Sequence, residues 1–303
     1  MKLHELLTSP PLATGWSLDP EMAAVVRRHG RGDLGCAAVE VPAGTFEVGP
    51  VGLQMVDQER LRPLLTRLQG EITGSKRAAL VLPTGWLRSH LLEFDHLPRR
   101  QSDVRDVVLW RLKKLLPVPP ASLRLAMINQ PSTGDSRRLL VLVGVERAIA
   151  SLESVFESVG VSLGFVTPRV FAAAGSTDVT GPVLTIQQEP GFLALMLRIG
   201  EAPTLVRTKP LARDEWQVVE RELVLTVGFI RSTLEIQEPL SVQLSLNNAS
   251  IADRLRTWIE LADDLEPAPP AVQPFAFDGS AVRERVGPFR LDPVLNLMAG
   301  GVR

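Results

Sequence analysis

The chain has 303 residues, 45% of them hydrophobic, and its 33 basic and 34 acidic residues leave a net charge of −1. That much apolar material can fill two domains, or one domain with subdivisions, and the near-neutral balance excludes a global field that would draw nucleic acid or an anionic membrane. A single cysteine, Cys36, excludes an internal disulfide framework and any cysteine-rich metal site, and fits a reducing compartment.

The opening "MKLHELLTSPPLATGWSLDP" carries a proline pair and no long apolar run, so no secretory signal is expected. The strongest apolar run, Leu139 to Val145, is strand length, and no direct membrane span is expected. "EMAAVVRRHG" and "LGCAAVEVPAGTFEVG" read as strands in a hairpin arrangement, punctuated by Gly30, Gly32, Gly44 and Gly49. In "DQERLRPLLTRLQGEI" the residues Leu61, Leu64, Leu65 and Leu68 share one stripe of a 3.6-residue period, which predicts an amphipathic helix. "RAALVLPTGWLRSHLLEF" reads as strand, turn and strand about Pro-Thr-Gly.

"SDVRDVVLWRLKKLLPVPP", residues 102 to 120, predicts a helix capped by Ser102. Asp103 and Asp106 fall near the positive end of its dipole, and Lys113 and Lys114 near the negative end. Val104, Val108, Leu112 and Leu115 form the inward face, widened by Val107 and Leu116. Pro117 is expected to stop the helix, and Pro119 and Pro120 to deliver an extended chain into the strand "SLRLAMINQ".

"RRLLVLVGVERAIASLESVFESVGVSLGFVTPRVFAAAG" continues as strand, helix ending near Gly160, strand and short helix. Turn formers cluster at residues 175 to 182, the expected domain boundary. Beyond it come the strand "VLTIQQ", a hairpin turning at Gly200 to Pro203, and a long helix with Val218, Leu223, Leu225 and Ile230 among its apolar positions. The strand "LSVQLSLNN", the helix "ASIADRLRTWIELA" and the connector "EPAPPAVQP" complete the chain before a short last segment. Strands followed by helices recur in similar order in both halves, which predicts two similar α/β lobes.

Signatures of common catalysis are missing: there is no GxSxG, CxxC, GxxxxGK[ST] or GxGxxG after a strand. His90 and His96 bracket Glu93 and Asp95, but at neither HExxH nor zinc-site spacing, so no metal is expected. Trp16, Trp86, Trp110, Trp216 and Trp258 are expected to serve core packing, and a chain without tyrosine has little for a base-stacking platform. Arg99, Arg100, Arg105, Arg111, Lys113 and Lys114 form a local basic cluster, expected as a solvated helix face, with an acidic partner or lipid headgroups as the alternative.

From "ALVLPTGWLRSHLLEF" to "LKKLLPVP" the order strand, strand, Leu-Pro, helix, Pro-x-Pro resembles the type IV pilus assembly protein PilM family. "LLVLVGVERAIASLESVFESVGVSLGFVTPRVFA" resembles its continuation, and "LALMLRIGEAPTLVRTKPL" is similar to its second-lobe hairpin, with Gly200 at the turn and Arg207 on the strand. The resemblance implies an α/β, actin-like two-lobed fold. The first lobe would run over 1–176 with an inserted subdomain at about 77–146, and the second over 177–303, with its C-terminal segment returning to the first lobe.

An actin-like ATPase needs two hairpins whose backbone N–H groups meet phosphate oxygens and whose aspartates organise magnesium. The first falls at "TGWSLDPEMAAVV", where Ser17 stands for the aspartate and Asp19 or Pro20 occupies the Gly-Ser turn. At the second, "LTIQQEPGFLALML", Ile186 or Gln187 stands for the aspartate and Gln188 for the glycine, with Glu189 and Pro190 following. "LARDEW" replaces a glycine pair, and Asn247 and Asn248 replace the adenosine-side glycines. The resemblance therefore implies a pseudo-ATPase binding neither ATP nor magnesium, and no catalytic residues.

Its implied role is a non-catalytic scaffold, cytoplasmic and peripheral at the inner membrane. The implied partners are the short N-terminal cytoplasmic tail of a PilN-like bitopic protein, lying in a cleft between the inserted subdomain and the first lobe, and pilus motor ATPases. Arg88, Leu92 and Phe94 on the second strand are the expected partner-binding residues. Two alternatives stand: the cytoplasmic actin-like domain of a type II secretion GspL-like protein, which the final "LDPVLNLMAGG" resembles, and an ATP-dependent enzyme of the actin and sugar-kinase superfamily.

Overall fold

A computed structural model describes residues 13–29, 33–72, 76–130, 137–173, 181–211, 215–246, 249–262, 264–268 and 288–298. The first sheet comprises β1 (Thr14–Leu18), β2 (Met22–His29), β3 (Asp33–Glu40), β6 (Arg77–Leu82) and β10 (Ser162–Pro168), in the order β10-β6-β1-β2-β3. β1 pairs antiparallel with β2 and parallel with β6, and β6 pairs parallel with β10. A small hairpin of β4 (Phe46–Gly49) and β5 (Gly52–Val56) leads into α1 (Gln58–Glu71), whose Asp57 side chain caps it by accepting from the Arg60 N–H.

Strand alternation sorts the first sheet into two faces. Trp16, Leu18, Leu80 and Leu82 enter one core with Leu61, Leu65 and Leu68 of α1 and Leu152, Val155 and Phe156 of α3 (Glu146–Ser158). Ala24, Val26 and Val81 enter a second cluster on the opposite face with Ala172 of α4 (Arg169–Ala173) and Leu291, Val294, Leu295 and Met298 of α7 (Pro288–Met298). α7 lies so close to β1 that a Cβ on Gly15 would stand 2.5 Å from Val294 Cγ1, so only glycine fits there.

The second sheet repeats the pattern with β11 (Pro182–Glu189), β12 (Phe192–Ile199), β13 (Ala202–Pro210), β14 (Leu240–Ser245) and β15 (Leu265–Pro267), in the order β13-β12-β11-β14-β15. Its central β11 pairs antiparallel with β12 and parallel with β14, as β1 does with β2 and β6. Leu184 and Ile186 join a core with Val219, Leu223 and Ile230 of α5 (Trp216–Ser232) and Ile251, Leu255 and Ile259 of α6 (Ala249–Glu260).

Between β6 and β10 the chain leaves the first sheet and builds a separate three-stranded sheet. Its strands are β7 (Arg88–Phe94), β8 (Leu123–Gln130) and β9 (Arg137–Val145), in the order β7-β9-β8, with α2 (Gln101–Leu112) beside it. One face, with Leu92, Leu139, Val141 and Val143, closes on Val108 and Leu112 of α2. The other carries Leu140 and Ile128 against Ala194, Met196 and Val206 of β12 and β13. Ser89 Oγ donates to the Val206 carbonyl at 2.8 Å across that seam.

α2 departs from its expected details. Arg100 occupies the cap position without a side-chain hydrogen bond, and Ser102 lies inside the first turn, its Oγ donating to Asp103 Oδ1. Because the Val104 N–H already donates to the Arg100 carbonyl, the helix starts one turn position too early for Ser102 to cap it. The regular helix ends at Leu112, and the chain tightens through N–H bonds from Leu115 and Leu116 to the Leu112 carbonyl. Pro117 disfavours helical backbone at Leu116 and would clash with the Lys113 carbonyl, so its influence reaches back four residues. Leu116 and Val118, spaced by Pro117, pack against both the subdomain core and the first-sheet core. Trp110, Leu115 and, on α5, Leu225 are exposed rather than inward.

No helix of the described residues is long and apolar enough to cross a membrane. Leu291→Ala, at a fully buried α7 contact, should lower unfolding free energy by about 2–5 kcal/mol in denaturant titration. Leu261→Ala, at an exposed position, should change it by less than about 0.5 kcal/mol, and equal effects would remove α7 from the core.

Candidate functional site

Period-2 alternation aims Ser17 of β1 and Gln187 and Glu189 of β11 away from their helix-covered cores, toward the space between the two sheets. The β1–β2 turn meets the end of β11 there, and a buried guanidinium stands between them. Arg169, the first residue of α4, is fully buried. Its Nη2 donates to Ser17 Oγ at 3.2 Å and the Leu18 carbonyl at 3.2 Å, and lies 3.4 Å from Asp19 Oδ2. Its Nη1 lies 3.9 Å from Glu189 Oε2.

Both carboxylates occupy backbone donors. Asp19 Oδ1 accepts from the N–H groups of Glu21 and Met22, each at 2.9 Å, closing the first hairpin on itself. Glu189 Oε2 accepts from the Thr84 N–H at 2.7 Å, and its Oε1 from Thr84 Oγ1. Thr84 Oγ1 in turn accepts from the Val170 N–H at 3.0 Å. At the first hairpin the turn amides of Glu21 and Met22, which a phosphate-binding turn would offer to a ligand, are thus held by Asp19, whereas Glu189 of the second hairpin holds the Thr84 amide in the turn after β6.

Asp19, Arg169 and Glu189 are all buried. Two carboxylates surround one guanidinium, and burial pushes the Glu189 carboxyl up from its ordinary range, with Arg169 and the Thr84 hydrogen bonds acting against that rise.

The remaining expected residues scatter around this centre. Pro20 is exposed in the first turn. Gln187 is fully buried, and neither amide atom has a hydrogen-bond partner among the described residues. Gln188 is nearly buried, with Oε1 also unpartnered. Asn247 and Asn248 lie outside the described residues. Next to the cluster the Phe192 ring lies on Gly85, where a Cβ would be 2.6 Å from Cδ1, so the second sheet's hairpin is seated against the turn that follows β6.

The expected partner residues divide. Arg88 is half-buried, and its Nε donates at 2.8 Å to the Pro50 carbonyl between β4 and β5, so it bridges the three-stranded sheet to the first sheet's hairpin. Phe94 is half-buried beneath the Arg111 guanidinium, 5.8 Å from its ring centroid. Leu92 is 6% exposed inside the α2 core and offers a partner almost no surface; β-alternation places it there because it opposes Leu139. A separate cavity of about 160 Å³ is lined by Leu193, Leu195, Arg207, Thr208, Lys209 and Glu222, and buried Glu222 takes the charges of Lys209 and Arg207 at 3.2 and 3.8 Å.

Sequence reasoning placed Ser17 and Asp19 at this centre but missed Arg169 and Thr84. One signal for Arg169 existed: it is the only charge in the run "GFVTPRVFAAAG".

No protein-family model matches the chain, and no curated protein does. Among solved structures it is similar to a chain of the PilM-PilN type IV pilus biogenesis complex, with a TM-score of 0.74 and 18% identity over 97% of this chain and 100% of that one. It is also similar to the cytoplasmic domain of EpsL, an inner membrane component of the type II secretion system of Vibrio cholerae, with a TM-score of 0.52 and 10% identity over 94% and 93%. These likenesses show the fold, the two-lobed actin-like architecture.

Arg169→Met, which strands two buried carboxylates, should lower stability by about 3–5 kcal/mol. Neutralising both with Asp19→Asn and Glu189→Gln in the same chain should recover part of that loss. A group whose pKa is raised on folding stabilises at low pH, and that contribution fades as pH rises through the raised value. Wild type should therefore lose stability relative to Glu189→Gln as pH rises above 4.5, and parallel pH profiles would count against the buried acid.

Proposed function

We propose that this chain is a non-catalytic scaffold of a type IV pilus-like assembly machine, docking the short N-terminal cytoplasmic tail of a PilN-like membrane protein. The observation that carries this reading is its full-length likeness in fold to the PilM-PilN complex chain. The cluster at the lobe junction supports a chain without ATPase catalysis. A phosphate entering there would have to displace Asp19 from two amides and Glu189 from a third, and would meet their charge. In this reading the protein works at the cytoplasmic face of the inner membrane, held there by its partner, with pilus motor ATPases as further partners.

The tail's place is the cleft between the three-stranded sheet and the first lobe, where Arg88 spans to Pro50 and where Leu116 and Val118 join the two cores. An extended peptide there would gain main-chain hydrogen bonds and apolar pockets. Arg88 and Phe94 are the residues available to it.

A second reading, the cytoplasmic domain of a GspL-like secretion protein, draws on the EpsL likeness. The resembling segment, however, has Leu291, Val294, Leu295 and Met298 buried against β1, β2 and α4, which suits a structural helix better than a lead into a membrane. An ATP-dependent enzyme would need a carboxylate beside a phosphate loop, and both carboxylates at the hairpins are engaged internally.

In titration calorimetry, the tail peptide of a PilN-like protein from the same organism should bind wild type. Arg88→Glu should weaken it by about tenfold in a chain that stays folded by circular dichroism, although loss of the Nε hydrogen bond to the Pro50 carbonyl lowers its melting temperature. No binding by wild type would sink the reading, and equal binding would remove Arg88 from the site. Mg-ATP should give no saturable heat. Micromolar binding lost in Ser17→Ala or Gln188→Ala would overturn the pseudo-ATPase assignment.

A further inference from the structure

The C-terminal end of α2 presents two large apolar side chains to water, Trp110 at 57% and Leu115 at 53% exposure. Arg111, Lys113 and Lys114 adjoin them in the chain and are exposed; Lys114 Nζ lies 4.4 Å from the Trp110 ring centroid, while Arg111 lies over Phe94 and donates to the Glu93 carbonyl at 3.4 Å. No Asp or Glu occurs between Asp106 and Asp135, so this end of the helix has no acid of its own. None of the three cations forms an ion pair among the described residues. At the other end Asp103 and Asp106 offset Arg99, Arg100 and Arg105.

The helix dipole explains lysines at a C-terminus, but it gives no reason to leave a tryptophan and a leucine in water beside them. Both would be better placed at an interface that is apolar in depth and anionic at its surface. Tryptophan settles at headgroup level, and lysine and arginine keep their charges in the headgroups while their stems lie along apolar surface. From this end of α2 we propose a docking surface for an anionic lipid bilayer, in which Trp110 and Leu115 enter the headgroup boundary and Arg111, Lys113 and Lys114 meet lipid phosphates. Protruding side chains on a helix end suit a plane; a peptide needs a groove. Each cation at an anionic surface contributes about fivefold in affinity, so three give about a hundredfold. One weak membrane contact of this size becomes effective when a tethered partner raises the local concentration.

Cosedimentation of the purified full chain with vesicles tests this without any partner protein, so its failure would leave the tail-docking reading standing, and the reverse. Wild type should bind phosphatidylcholine vesicles mixed with phosphatidylglycerol at least about tenfold better than phosphatidylcholine alone, and raised salt should weaken the binding. Lys113→Glu with Lys114→Glu should reduce it to the neutral-vesicle level, Trp110→Ser with Leu115→Ser should weaken it by about tenfold, and all variants should melt like wild type. A blue shift of fluorescence on vesicle addition should vanish in Trp110→Phe. Equal binding to both vesicle types, binding unaffected by the lysine reversals, or binding to polyglutamate with none to anionic vesicles would each overturn the proposal, the last in favour of an acidic protein partner.

Discussion

The buried guanidinium of Arg169 is the point on which the two halves of this molecule converge. Each half carries a five-stranded sheet of the same topology, and the central strand of each ends in a carboxylate, Asp19 after β1 and Glu189 on β11. Both are buried, where like charges repel, and a cation between them lowers the cost of ionising either. Arg169 supplies that cation from α4, which packs against the same face of the first sheet as α7.

Much of the rest follows from this constraint. Phe192 lies on Gly85, and Val206 packs with Leu140 and Ile128, because the hairpins must approach closely for Glu189 to reach Thr84. At the first hairpin the chain satisfies the Glu21 and Met22 amides with its own Asp19, and Glu189 satisfies that of Thr84. The contact between the two sheets thus rests on internal electrostatics and apolar packing.

Sequence pattern carried the elements well wherever one physical term dominated. The leucine stripe of α1 and the strand opening the second half produced the expected elements, whereas α2 ends at Leu112 and Pro120 opens a short 3-10 turn before β8 in place of the expected extended run. Misses came where local and long-range terms compete. Ser102 is a good cap by type, yet the helix begins before it. Leu115 and Leu225 have the right spacing for burial but no opposing surface. Leu92 alternates into a core that only its pairing with Leu139 reveals. The turn at Asp19 and Pro20 was legible in the sequence, whereas the two amides that Asp19 holds and its approach to Arg169 were not. Arg169 stands 150 residues along the chain from Asp19, and no local pattern joins them.

Amide hydrogen exchange at Glu21, Met22 and Thr84, followed with and without Mg-ATP, reads the occupancy of those donors. If Asp19 and Glu189 already hold these N–H groups, all three should exchange slowly in the free protein and be unchanged by nucleotide. Fast exchange in the free protein that becomes protected on adding Mg-ATP would contradict the claim and restore this cleft as a nucleotide site.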